Sequence, residues 1–84
     1  MAGKYTPLQK YLDGISPSTQ DLTIPFNKIE QIINAKLPRS ADIYQEWWSN
    51  EISGSHVQAH AWMDAGWRME SVNISTKSVR FLRR

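Results

Sequence analysis

His56, His60 and Asp64 fall at i, i+4 and i+8, so a helix carries all three on one face. Imidazole and carboxylate are zinc ligands. The stretch His56-Val-Gln-Ala-His60 has the spacing of the HExxH zinc-protease motif, but Val57 stands where that motif has its glutamate, and Gln58 follows it. The general base is therefore missing, and the same residues equally make an ordinary solvated helix face with no metal. Nucleophilic catalysis has no better candidate. The chain lacks cysteine, no serine sits in a recognisable elbow, and four scattered glycines make no phosphate loop. The eight acids are spread along the chain and do not form an obvious pair. The expectation is a protein that is not an enzyme and that uses no cofactor.

Charge distribution points elsewhere. Residues 66–84 carry five cations against Glu70, a net +4, whereas residues 40–65 carry four acids and no Lys or Arg, a net −4. Arg68, Lys77, Arg80, Arg83 and Arg84 populate a C-terminal stretch whose alternation reads as a β-hairpin. Arginine forks suit phosphate oxygens, and several such contacts give salt-sensitive affinity for nucleic acid. Lys36 and Arg39 add a second basic group at a proline-marked turn. Base readout would come from a helix, over residues 41–48 or, preferably, 56–65. The second offers His56, Gln58 and His60, and glutamine suits adenine. The same cations would also serve as a solubilising tail.

A rival reading uses the acidic, tryptophan-rich middle. Trp47 and Trp48 are adjacent, and neighbours on a helix point about 100° apart, so one stripe cannot bury both. Ile43 with Trp47 is expected in the core and Tyr44 with Trp48 on a flanking face, the reverse assignment being the alternative. Tyr44, Trp48 and Asn50, joined by Trp67, would then be a contact patch for a protein partner, since Trp and Tyr dominate interaction hot spots. In that reading Trp48→Ala spares the fold and abolishes partner recovery.

These residues need elements to hold them. Thr6-Pro7-x-Gln9 predicts a capped helix with Leu8, Tyr11 and Leu12 on one face, ended by Gly14. Leu22-Thr23-Ile24 predicts a short strand that Pro25 ends or confines to an edge. Asn27-x-x-Glu30 resembles a second capping box, opening a helix over 28–35 with Ile29, Ile32 and Ile33 inward. Ser40 is expected to cap a third helix, and Ser55 a fourth over 56–65 whose inner face includes Val57 and Trp62. Two strands, 67–74 and 77–83, follow.

The fold class is α+β: three to four short helices with a small antiparallel sheet, made of the C-terminal hairpin plus one short strand, in one domain over 1–84. That order resembles a winged helix-turn-helix. No apolar run approaches a membrane span, and the N-terminus shows no secretory signal, so a cytoplasmic location is expected.

Tyr5-Thr-Pro-Leu8, Leu37-Pro38-x-Ser40-Ala41, Trp47-Trp48-x-Asn50, Gln58-Ala-His-Ala-Trp62 and Ala65-Gly66-Trp67 together form a pattern over nearly the whole chain. It is similar to a family of small bacterial and phage domains of unknown function. The resemblance implies a stand-alone or fused domain associated with nucleic-acid handling, and it carries over no catalytic residue. The resulting expectation is a DNA-binding domain that uses the basic hairpin and a helix. The alternative is a non-catalytic protein-interaction domain, such as a phage-encoded inhibitor or adaptor. Oligomeric state is left open.

Overall fold

The computed structural model describes residues 3–51 and 57–84. Its elements run α1 Thr6–Asp13, β1 Asp21–Pro25, α2 Phe26–Ile33, α3 Arg39–Ile43, a 3-10 turn Gln45–Trp48, α4 Ala59–Met63, β2 Trp67–Asn73 and β3 Ser78–Arg83. The architecture is α+β. Among the described residues, four short helices cover one face of a three-stranded antiparallel sheet with order β1-β3-β2. This is compatible with a winged-helix arrangement, in which the first strand joins the hairpin.

Alternation fixes which way the sheet faces. Ile24, Val79, Phe81 and Trp67 are buried, while Thr23, Arg80 and Arg68 point to solvent. Leu22 pairs with Phe81, and Ile24 with Val79, so the two apolar rows lie side by side. Pro25 ends β1 on an edge strand, where its missing N–H costs no ladder bond. A bulge between Met69 and Ser71 accommodates Glu70. Gly66 adopts φ +89° between α4 and β2, a conformation that favours glycine.

A row of rings forms the core. Phe26 stacks on Trp48 at 4.8 Å, Trp48 on Trp62 at 6.0 Å, and Trp62 lies 5.3 Å from Phe81. Each fully buried indole donates its N–H: Trp48 to Ala41 O, Trp62 to Asn50 Oδ1 and Trp67 to Leu12 O. Aromatic area is thus buried without stranding a polar atom.

Several expectations about helix ends are corrected. Thr6 does not cap α1: Tyr5 occupies that position and Thr6 Oγ1 accepts from Gly3 N. Asn27 lies inside α2, not before it, because Pro25 is the extended residue at its start. Glu30 does not reach back, since its carboxylate accepts the Leu37 N–H at 2.9 Å. Asn34, in the left-handed region at φ 54°, ends α2. Pro38, not Ser40, precedes α3. The proposed cap at Ser55 lies outside the described residues.

The tryptophan assignment is reversed. Trp48 is fully buried, Trp47 is half-buried, and Ile43 and Tyr44 are exposed. The i, i+4 pairing assumed one continuous helix. Instead Tyr44 is extended (φ −113°, ψ 122°) and splits α3 from the 3-10 turn. The break lets Trp48 enter the core beneath Ala41 and leaves Trp47 edge-on to Tyr5 at 5.9 Å.

Candidate nucleic-acid interface

Most of the cations in the C-terminal hairpin are spent within the chain. Arg80 makes a two-point contact with Asp21 across the β1–β3 pair, Nε to Oδ1 at 3.0 Å. This holds the Asp21 carboxyl below the usual carboxylate range, the hydrogen bonds from Arg80 contributing most. Arg68 pairs with Glu70 at 2.7 Å. Arg83 lies over the Trp67 ring at 4.0 Å and donates to the carbonyls of Ser16 and Thr19. Arg84 donates to Met63 O. The outer sheet face therefore sets Arg68 and Arg80 against Asp21 and Glu70 and carries no excess charge.

The preferred reading helix is also corrected. Gln58 is buried and donates to Trp47 O at 2.8 Å, so its amide serves the loop packing and cannot reach a base edge. His60 is exposed, with Nδ1 3.1 Å from Asp64. Val57, expected inward, is 61% exposed. His56 lies outside the described residues. Among the described residues no group of three His, Asp or Glu side chains could hold a metal ion.

The contact patch divides in the same way. Tyr44 is exposed, but Trp48 and Trp67 offer no surface. Asn50 is a structural clasp. Its Oδ1 accepts from Trp62 Nε1 and Met69 N, and its Nδ2 donates to Met69 O, tying the core ring row to β2.

A different face collects side chains left open. Lys77 stands at the hairpin tip in the left-handed region, φ 53°. Its carbonyl accepts the Phe26 N–H at 2.8 Å, and its ammonium lies 3.5 Å from Asp42. These two contacts pin the tip to the starts of both α2 and α3. Lys36, 41 positions earlier in the chain, lines the same groove of about 500 Å³ with Lys77, Thr76, Asn27 and Glu30. A second hollow of about 420 Å³ continues along α2 past Asn27, Gln31, Asn34 and Lys36. Arg39 is exposed at the start of α3. Lys28 flanks α2 on the other side, its ammonium 5.9 Å from the Tyr11 ring centre.

Asn27, Gln31 and Asn34 were missed as surface groups because Asn27 read as a cap. Their signal was present: they fall at i, i+4 and i+7, opposite the buried Phe26, Ile29 and Ile33. All three are exposed, and among the described residues their side-chain amides have no partner in the chain. The groove itself sets Lys36 and Lys77 against Glu30 and Asp42, and the exposed cations Arg39 and Lys28 flank it at the start of α3 and on the other side of α2. The face can hold a polyanion and offer amide donors and acceptors between its charges.

Among the described residues, no helix is long and apolar enough to cross a membrane. No curated protein and no solved structure matches the chain. A family model does, over residues 5–84, and the chain belongs to that family, a domain of unknown function, DUF7662.

Proposed function

We propose that the protein is a non-catalytic DNA-binding domain of the cytoplasm, and that it binds through α2, the α2–α3 turn and the hairpin tip. The observation that supports this reading is the meeting of Lys36 and Lys77 across one groove, beside exposed and unpartnered amides. Lys77 is already paired with Asp42, so phosphate contacts by Lys36 and Arg39 release about two counterions, which gives a slope of log K against log salt of about −1.8. In winged-helix terms the hairpin tip is the wing, and α2 takes the part first given to α4. The outer sheet face is not part of the interface, because its arginines already have carboxylates.

The test is a fluorescence-anisotropy titration of labelled duplex DNA at two salt concentrations. Raising salt from 50 to 200 mM should weaken binding roughly 12-fold for two phosphate contacts. Absence of binding at the lower salt would reject the reading.

A protein-contact reading has its own observation. Ile43 is 49%, Tyr44 57% and Val57 61% exposed, and the Gln58 bond to Trp47 O brings residue 57 beside the 3-10 turn. On that reading, replacing Ile43 and Tyr44 with Ser abolishes cross-linking to a protein partner in expressing cells and leaves DNA binding intact. Unchanged cross-linking would dismiss it.

A further inference from the structure

The amide row on α2 has a spacing that goes further than electrostatic attachment. Asn27 and Asn34 are seven residues apart, about 10 Å along a helix axis. That length matches about three base-pair steps of 3.4 Å. Gln31 shares the α2 face with Asn27, and Asn34 is the left-handed residue that ends the helix beside them. Each amide presents one acceptor and two donor hydrogens, the pair that adenine meets with its N6 amino group and N7 in the major groove. The buried stripe of Phe26, Ile29 and Ile33 holds the helix from behind. The Glu30 carboxylate sits at one side, already accepting the Leu37 N–H.

The flanking groups fit the same approach. Lys36 and Lys77 stand along one margin of the row, and Lys28 along the other. A major groove about 12 Å wide admits a helix and places a phosphate strand on each side of it. The deep, narrow major groove of duplex RNA does not.

Resting on the DNA-binding reading above, we propose that α2 is the sequence-reading helix, and that Gln31, flanked by Asn27 and Asn34, selects adenine in the major groove of duplex DNA. The proposal assigns specificity to three residues and leaves overall affinity to the cations.

The experiment selects from DNA duplexes carrying a randomised eight-base-pair centre, using the full chain at 50 mM salt. Affinities of the winners are then measured for the wild type, Gln31→Ala and Lys36→Gln/Arg39→Gln, with duplex RNA of the winning sequence as a control. The expected result is adenine enriched within a run of about three positions. Gln31→Ala should lose roughly 5- to 140-fold of the discrimination at one of them and keep its salt slope. Lys36→Gln/Arg39→Gln should weaken all sequences alike and keep the preference. Duplex RNA of the winning sequence should bind more weakly. Salt-sensitive binding without any base preference would overturn this proposal and spare the DNA-binding reading. So would a preference that survives Gln31→Ala together with Asn27→Ala. No binding to any duplex would overturn both. Position 31 is exposed, so an unchanged melting temperature for Gln31→Ala verifies that the variant is folded.

Discussion

The outer sheet face and the α2 face both carry cations, but they dispose of them differently. On the sheet, Arg80 grips Asp21 and Arg68 grips Glu70. On the α2 face, Lys36 and Arg39 have no acid within ion-pair distance among the described residues, and three amides beside them are unpartnered. The sheet comes from the segment with the higher net charge, yet less of that charge is available there. Net charge along a sequence counts cations. Pairing across strands decides which of them a polyanion can use, and that pairing links residues as far apart as 21 and 80.

The largest expected effect comes from removing the ring that joins the two regions. Trp48 stacks on Phe26 at the head of α2 and on Trp62 behind the sheet. Trp48→Ala should cost about 3–5 kcal/mol in denaturant unfolding, the usual range for deleting a buried large aromatic. A fold that survives with unchanged stability would instead mark Trp48 as a surface group. Next comes Asn50→Ala, which strands the Trp62 and Met69 donors and should cost about 2–3 kcal/mol in the same assay. Sharper for the comparison is Arg68→Gln/Arg80→Gln. Because both arginines are already paired, DNA affinity should stay within about twofold of wild type, where an open cation would contribute about 0.9 to the salt slope. A clear drop would return the sheet face to the interface.

The smallest effect is in acid. The Asp21 carboxyl has a lowered pKa in the fold, so its contribution to stability is complete above the unfolded value of about 3.9 and is lost as pH falls below it. Asp21→Asn should flatten the wild-type decline in melting temperature below about pH 4 and alter little at pH 7. An unchanged acid limb would mean that the pair with Arg80 is not maintained in solution.

Much of the fold was legible because it depends on period. The inward row of Val79 and Phe81, the stripe of Ile29 and Ile33, and the edge proline of β1 follow from spacings of two or three to four residues. What escaped was decided at longer range. The helix break at Tyr44 is set by burial of Trp48 under Ala41 and against Phe26, contacts the local pattern does not contain. Glu30 resembled the far half of a capping box but turns to Leu37, seven residues on. The interface was half legible. Lys36, Arg39 and Lys77 stood out by charge, but their convergence depends on the hairpin tip docking on Phe26 and Asp42. Asn27, Gln31 and Asn34 were visible as a row and were passed over because asparagine before a helix also caps it.

The central claim is that charge available on the α2 face, and not charge on the hairpin, holds DNA. It is tested most directly by measuring salt slopes side by side for the wild type, Lys36→Gln/Arg39→Gln and Arg68→Gln/Arg80→Gln on one labelled duplex. The account predicts that the first pair of substitutions lowers the slope by about 1.8, and that the second leaves it unchanged. The reverse pattern, with the sheet variant losing the slope and the α2-face variant keeping it, would contradict the account.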